Sequence, residues 1–330
     1  MPGVWCRKRG HEIVRLLSFV AKRLVATVFI LFGVAAITFF LVRLAPGDPV
    51  AAQLGQHAGD TATYNRLYHQ MGLDRPLWRQ FLSYVWNAFH GDFGTSVASP
   101  GTPVTTIIGQ GLPITIELGA LATAIALLFG IPLGVLAAVR HNRIFADNVN
   151  MGLMMALYSL PPFVIIPVVW LVFGVLLKDT IFHLPVTGWQ GLGDPHYWLA
   201  PSFVYAAGLA GFFARSMRSF MLEELNKDYI RTARAKGMSE RTVIYIHALK
   251  NTLLPFASVL GPTVAFLVVG AFIIEQEFSI PGIANITVQS TLSNDYAVTL
   301  ATTLVLAAAV VVANALTDIF YTIVDPRVKL

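Results

Sequence analysis

The chain has 330 residues, of which 55% are hydrophobic and 12% charged, and its formal net charge is +5 at pH 7. Soluble globular domains have a charged share of about 25%, so this composition excludes that class and indicates a membrane protein. The only cysteine is Cys6, which excludes an intramolecular disulfide.

Six long uncharged runs follow one another along the sequence. Each reaches or nearly reaches the ~20 residues that a helix needs to cross ~30 Å of hydrocarbon. They predict an all-α integral membrane protein with six transmembrane helices. The runs are residues 24–42, 118–139, 148–177, 195–214, 251–274 and 296–317.

The basic residues lie mainly on one side of this predicted topology. Residues 1–23, 140–147, 215–250 and 324–330 contain 18 of the 23 Lys and Arg residues. The positive-inside tendency therefore predicts that these segments and both termini are cytoplasmic. The first run is longer than a signal-peptide core of about 7–15 residues, so we expect an uncleaved first span. This topology accounts for the net charge, and no nucleic-acid partner is needed to explain it.

The connections between the runs predict the order of the segments. We expect a cytoplasmic tail at residues 1–23, a first transmembrane helix at 24–44, an extracytoplasmic loop at 45–112 and a transmembrane core at 113–330. The third run contains Pro161, Pro162 and Pro167, and each proline removes a backbone donor and obstructs a helical turn. This span should therefore kink or break, and it should face protein or a cavity.

An amphipathic helix is predicted inside the extracytoplasmic loop. The tripeptide Asp74-Arg75-Pro76 is typical of a helix start, and apolar residues then recur at helical spacing as far as Phe89. Trp78 and Trp86 are suited to the headgroup zone of a membrane. Packing on the protein's own outer surface explains the same pattern, and the two arrangements are compatible.

The sequence lacks the motifs of several kinds of active site. It has no Gly-x-x-x-x-Gly-Lys-Ser/Thr phosphate loop and no Gly-x-Ser-x-Gly elbow. The eight histidines fall on different segments without metal-ligand spacing, so we expect no metal site. Acidic residues near span ends either line a pathway or lie in the polar interface, and Glu117 and Glu275 are the first candidates for lining.

A short basic segment, residues 226–250, separates the fourth and fifth runs. Asn226 and Asp228 predict a helix start, Gly237 predicts its end, and Ser239 predicts the start of a second helix. The charge alone is explained by an ordinary cytoplasmic loop. The caps and the glycine together favour a helix-turn-helix on the cytoplasmic surface that docks on a soluble protein.

Two features of the segment suit such docking. Exposed cations steer a partner and form charge-assisted hydrogen bonds with it. The small side chains of Ala233 and Ala235 permit a partner to approach closely.

The basic segment resembles the cytoplasmic signature of ATP-binding-cassette (ABC) importer permeases. That signature begins with Glu-Ala-Ala, where this chain has Arg231-Thr232-Ala233, and its glycine falls at Gly237. The continuation His247-Ala248-Leu249-Lys250-Asn251, with a proline delayed to Pro255, is similar to the dipeptide, oligopeptide and nickel branch. Further stretches agree in order and spacing: residues 44–49, 72–76, 91–96, 131–138, 277–282 and 325–327.

The resemblance implies a type I ABC importer permease fold in a bacterial cytoplasmic (inner) membrane. The implied partners are a homologous second permease, two cassette ATPases, an extracytoplasmic peptide-binding protein and membrane lipid. ATP and Mg²⁺ would be used by the ATPases, and this chain would bind no cofactor and catalyse no reaction. The residues implied to make or shape the ATPase contact are Tyr229, Arg231, Thr232, Ala233, Arg234, Ala235, Lys236, Gly237 and Ser239.

The implied function is the import of dipeptides or oligopeptides by one half of a heterodimeric channel. A permease for nickel or another small solute is the alternative within the family, since the binding protein largely selects the cargo. An ATP-independent secondary transporter is the alternative outside it, although its usual inverted repeats are not apparent. A membrane enzyme would need a convergent set of reactive groups, and the sequence provides none.

Overall fold

The computed structural model describes residues 3–44, 47–54, 61–141 and 158–324, together with positions 149, 152 and 154–156. Among these residues the only strand-like pairing is one antiparallel bridge between Thr95 and Pro103, so the predicted all-α class is confirmed. The helices are α1 (Gly3–Leu44), α2 (Pro49–Leu54), α3 (Thr61–Gln70), α4 (Leu77–Phe89), α5 (Val104–Val139), α6 (Pro162–Val169), α7 (Pro195–Leu225), α8 (Asp228–Ala235), α9 (Glu240–Thr242), α10 (Leu249–Glu277), α11 (Ile283–Leu292) and α12 (Tyr296–Val324).

Five helices in the described part of the chain are long and apolar enough to cross a membrane, where the sequence predicted six. The third predicted span instead yields a shorter apolar helix, Pro162–Leu176. Positions 148, 150, 151, 153 and 157 of that span lie outside the described residues, as do residues 45–46 and 325–327 of the resembling stretches. The five spans are Ala21–Leu44, Val104–Val139, Pro195–Leu225, Glu240–Leu260 and Tyr296–Ala315.

The interruption of the third span lies where its prolines predicted it. Leu160 and Pro161 are not helical, and α6 begins at Pro162, where a missing N–H leaves no helical bond unmade. Beyond Pro167 the backbone widens into a π-helical stretch, Trp170–Leu176. The predicted kink or break is confirmed.

The chain divides into two compact units. The first contains the described residues up to Leu112 and Ile286–Ala315. Its core joins Ala35 and Phe39 of α1, Phe81 of α4 and Leu300 of α12. Near the start of α12, buried Asp295 accepts hydrogen bonds from the Ser96 hydroxyl and from the backbone N–H groups of Val97 and Ala98, so it fixes the loop before α5.

The second unit contains Pro113–Asn285 and the described residues from Leu316 onward. Its core is centred on α7, which contributes the fully buried Phe213, Met217 and Met221. Ile230 of α8 and Phe256 of α10 belong to the same core. The basic segment is therefore packed against membrane helices of its own chain.

Candidate functional site

The candidate site is the basic segment, residues 226–250, which forms the predicted helix-turn-helix. Its first helix, α8, begins at Asp228, which places an acidic residue in the first turn as expected. The prediction that Asn226 caps this helix was wrong. α7 continues to Leu225, and Asn226 ends it, its side chain donating to the carbonyl oxygen of Leu222 at 2.9 Å.

Gly237 ends α8 as predicted. Its φ of +77° lies in the left-handed region, which glycine adopts without strain. The N–H of Gly237 donates to the carbonyl of Arg234, and the N–H of Met238 donates to that of Ala233. This pair of hydrogen bonds is the Schellman arrangement, which satisfies the last carbonyls of a helix and reverses the chain sharply.

Ser239 caps the second helix, which confirms the second predicted start. Its hydroxyl accepts a hydrogen bond from the N–H of Thr242 at 3.3 Å. From Glu240 the chain is helical through π-helical turns at Val243–Ala248 and into α10. The turn is thus joined without a break to a helix that is apolar enough to cross the membrane.

One face of the segment is buried within the chain. Ile230 and Val243 are fully buried, and Ala233 is 8% exposed against the same core. The methyl group of Ala233 therefore faces its own subunit, and only Ala235 of the two predicted small residues is exposed. The opposite face is open: Tyr229, Arg231, Thr232, Arg234, Lys236, Gly237 and Ser239 are all exposed.

A buried acid, Glu224, holds α8 in place. It is 5% exposed, and one of its carboxylate oxygens lies 2.6 Å from Lys227 Nζ. The other accepts a hydrogen bond from the Tyr229 hydroxyl at 2.6 Å, and this hydroxyl accepts one from Asn251 Nδ2 at 2.9 Å. These four residues, the Glu224 cluster, connect α7, α8 and α10 and give the buried carboxylate the partners that it needs.

The Glu224 cluster also changes the proton affinities of its members. The hydrogen bond to Glu224 raises the pKa of Lys227, and burial together with the same acid raises the pKa of the Tyr229 phenol. Both groups are protonated at neutral pH, and the raised pKa values extend the protonated forms to higher pH. Glu224 was not predicted from the sequence, although its spacing of three residues from Lys227 is typical of an ion pair on one helical face.

Arg234 is engaged inside the segment. Its guanidinium donates two hydrogen bonds to the carboxylate of Glu240, with N–O distances of 3.2 and 2.7 Å. This bidentate pair spans the Gly237 turn and joins the two helices. Lys236, Arg241 and Lys250 are exposed and form no ion pair with any described residue, so they are the cations of the segment most available to a partner.

Glu275, the second predicted lining residue, lies near the C-terminal end of α10. Its side chain is fully buried. The carboxylate accepts hydrogen bonds from the Thr115 hydroxyl and from the backbone N–H groups of Ala284 and Asn285. It thus satisfies the first N–H groups of α11, which have no partner inside that helix. These contacts are those of a helix cap, and a lining role for Glu275 stays a prediction.

The Glu275 carboxyl group is packed closely against the turn before α11. A Cβ atom added at Gly282 would overlap the Glu275 carboxyl group. The Thr115 hydroxyl also accepts a hydrogen bond from the N–H of Ile283 at 2.9 Å. This set of contacts, the Glu275 lock, fixes the chain between α10 and α11 onto α5.

Glu117, the first predicted lining residue, is half-buried on α5 and forms no hydrogen bond or ion pair with the described residues. An acidic group without a partner in an apolar helix is a functional candidate. A lining role for Glu117 stays a prediction. No group of three or more His, Cys, Asp and Glu side chains in the described ranges is arranged to hold a metal ion.

The fold and the site define a multi-pass α-helical membrane protein with a rigidly attached, cationic helix-turn-helix. A family model described as a binding-protein-dependent transport system inner membrane component matches residues 130–330, and the N-terminal model of such components matches residues 16–118. The chain belongs to this family. It is therefore a membrane permease subunit of a transporter with further subunits, and the resemblance to ABC importer permeases is confirmed.

Curated relatives match over nearly their whole length. The chain is 35% identical to the oligopeptide transport system permease protein OppB of Haemophilus influenzae, with 95% of this chain and 100% of the relative covered. It is 34% identical to the dipeptide transport system permease protein DppB of Escherichia coli K12, with 95% and 99% covered. Identity to DppB of Lactococcus lactis subsp. cremoris is 36%, with 96% and 100% covered.

Proposed function

We propose that the chain is the permease subunit of an ABC importer for dipeptides or oligopeptides and that its basic segment docks on a cassette ATPase. The cargo class follows the names of the relatives, which are oligopeptide and dipeptide permeases. The observation that carries the docking role is the exposed cationic face of the basic segment, which includes Lys236 and Arg241, while the opposite face of α8 is buried against α7 and α10.

The contacts of α8 support a mechanical role. Tyr229 bonds both to Glu224 near the end of α7 and to Asn251 near the start of α10, so a displacement of α8 is transmitted to two membrane helices. ATP binding by the partner would shift the permease only by favouring one of its conformations over another. Because α8 is fixed to α7 and α10, a movement that the partner imposes on α8 also moves these membrane helices and is not lost at a flexible joint.

The proposal includes the partner subunits and the orientation of the chain in the membrane. The chain itself is non-catalytic and binds no cofactor, and ATP and Mg²⁺ are used by two partner ATPases. A homologous second permease completes the channel, and an extracytoplasmic peptide-binding protein delivers cargo to loops 45–112, 178–194 and 276–295. Both termini and residues 226–250 are cytoplasmic, in agreement with the distribution of basic residues. Glu117 remains the candidate for the pathway wall.

A charge reversal tests the docking role. Lys236→Glu, in the assembled complex, should reduce co-purification of the ATPases, because Lys236 is exposed and has no partner of its own among the described residues. Arg66→Glu is the matched control, since Arg66 is an exposed cation in the predicted extracytoplasmic loop. Unchanged ATPase recovery with Lys236→Glu would show that the contact lies elsewhere.

Substitution at Gly237 tests coupling separately from assembly. Gly237→Trp should abolish uptake while the chain still inserts, because the left-handed turn is strained by any L side chain and the docking surface is altered. Gly193→Ala is the control, since a Cβ there meets no atom within 4 Å and its φ is not positive. Normal uptake by the Gly237 variant would contradict the coupling role.

The cargo is tested by purifying the complex with its binding protein and identifying the ligand that the binding protein retains. Peptides of two or more residues are expected. Nickel or another small solute in their place would favour the alternative within the family. Uptake that continues without the ATPases would favour a secondary transporter.

A further inference from the structure

Helix α4 carries a surface that neither the docking site nor the channel explains. Its side chains form three stripes along the helix. One stripe is packed against the chain, with Phe81 buried and Tyr84, Val85 and Ala88 half-buried. A second stripe, the apolar stripe, is exposed and consists of Trp78, Leu82, Trp86 and Phe89. The third is the polar stripe, with Arg79, Gln80, Ser83 and Asn87.

The packed stripe fixes α4 against two membrane helices of the same compact unit. The ring of Phe81 lies 5.4 Å from that of Phe32 and 5.5 Å from that of Phe39, both on α1. The Tyr84 hydroxyl donates a hydrogen bond to the carbonyl oxygen of Leu300 on α12 at 3.2 Å. The orientation of the other two stripes is therefore set by these contacts.

The apolar stripe exposes several large apolar side chains side by side, which is unusual for a protein surface that faces water. Leu82 is 53% exposed, Trp86 69% and Phe89 77%. The part of α1 that lies beside α4 is also apolar and open, with Val28 53% and Phe32 49% exposed, and α1 is long and apolar enough to cross the membrane. The apolar stripe therefore continues the lipid-facing surface of a transmembrane helix.

A groove runs between these two surfaces. It encloses about 330 Å³ between α1, α4 and Leu304 of α12, within the ~300–1,000 Å³ typical of ligand sites. Tyr84 is the only polar side chain in its lining, and its hydroxyl is already bonded to Leu300. An acyl chain suits such a groove because no polar partner has to be provided.

We propose that α4 is an interfacial helix whose apolar stripe is immersed in the lipid leaflet on its side of the membrane, with lipid acyl chains filling the groove beside α1. The occupant is phospholipid because the apolar stripe is continuous with the lipid-facing surface of α1. The polar stripe faces away from the acyl chains, and the guanidinium of Arg79, 5.0 Å from the Trp78 ring, lies where the two stripes meet. A protein partner on the apolar stripe is the competing outcome.

Fluorescence quenching distinguishes phospholipid from a protein partner as the occupant of the apolar stripe. In a Cys6→Ser background, the assembled complex in phospholipid nanodiscs would carry single cysteines labelled with an environment-sensitive dye. Leu82→Cys and Trp86→Cys report on the apolar stripe, and Ser83→Cys and Asn87→Cys are matched controls on the polar stripe of the same helix. Phe89→Cys provides a third apolar position if Trp86→Cys does not assemble.

Dyes at positions 82, 86 and 89 should be quenched severalfold more by doxyl-labelled phospholipid than dyes at positions 83 and 87, and iodide in water should give the reverse order. Equal quenching by iodide at both stripes would overturn the proposal. Shielding of the apolar stripe from both quenchers would also overturn it, because the surface would then be covered by protein.

Discussion

Two buried glutamates show how differently the basic segment and the loop between α10 and α11 are attached to the membrane helices. Glu224 is bound by side chains, namely the ammonium group of Lys227 and the hydroxyl of Tyr229, and both of these residues remain partly exposed. Glu275 is bound by the Thr115 hydroxyl and by backbone N–H groups at the start of α11, and it is fully buried.

This difference indicates how much displacement each region tolerates. Backbone donors cannot be displaced without unfolding the first turn of α11, and their acceptor is fully buried, so we expect the contacts of the Glu275 lock to be lost together and not one by one. Side-chain donors at a surface can exchange with water one at a time. The Glu224 cluster is therefore suited to a helix that must be held firmly and yet must move with a partner, whereas the Glu275 lock is suited to a fixed support.

Removal of the Glu275 carboxylate should have the largest effect. In Glu275→Ala the backbone N–H groups of Ala284 and Asn285 lose their acceptor inside the protein, and each buried donor left unpaired costs about 1–3 kcal/mol. We expect a large loss of thermal stability of the purified complex, measured by thermal unfolding. Glu277→Ala is the control, because Glu277 is exposed two residues away. Equal melting temperatures for the two variants would refute the lock.

Removal of the Glu224 carboxylate should have a smaller effect on stability and a clear effect on coupling. Lys227 and Tyr229 are partly exposed and can be hydrated in Glu224→Ala, so we expect a loss of about 1–2 kcal/mol. The ratio of peptide transported to ATP hydrolysed should fall, since α8 is less firmly tied to α7. Glu223→Ala, at the adjacent exposed glutamate, should leave both quantities unchanged.

The pKa of Lys227 determines how the stability lost in Glu224→Ala should depend on pH. Its pKa is raised above the ordinary 10.5 by the hydrogen bond to Glu224. A raised lysine pKa contributes stability that is complete below the unfolded value and is lost only as the pH rises through the folded value. The melting-temperature difference between wild type and Glu224→Ala should therefore be the same at pH 7 and pH 9. A difference that shrinks over this interval would show that Lys227 is not the charged partner.

The sequence alone predicted what depends on neighbours along the chain. The stop at Gly237, the cap at Ser239 and the break at Pro161 are local effects of backbone geometry and were all found. The role of Glu275 depends on Thr115, 160 positions away, and no local pattern reveals such a contact. The cap assigned to Asn226 was wrong because packing of α7 extends that helix by tertiary contacts that propensity does not include.

The hydroxyl of Tyr229 provides a finer test of the Glu224 cluster. Tyr229→Phe keeps the ring and removes the hydrogen bonds to Glu224 and Asn251, while Lys227 still neutralises the acid. We expect a loss of about 0.5–1.5 kcal/mol. In the Glu224→Ala background the same substitution should cost much less, because the principal acceptor is already absent. Tyr245→Phe, at an exposed tyrosine on the second helix, is the control, and additive losses in the double variant would argue against a shared cluster.

The smallest effect is expected at the Arg234–Glu240 pair, which lies at the surface. Exposed ion pairs contribute about 0.2–1 kcal/mol, so Arg234→Glu alone should reduce stability only slightly. If Arg234 acts by joining the two helices, the exchange Arg234→Glu with Glu240→Arg should restore both ATPase binding and uptake, since the pair is re-formed across the same turn. If Arg234 instead touches the ATPase directly, the exchange should restore stability but not ATPase binding, and Arg234 would then belong with Lys236 to the docking surface.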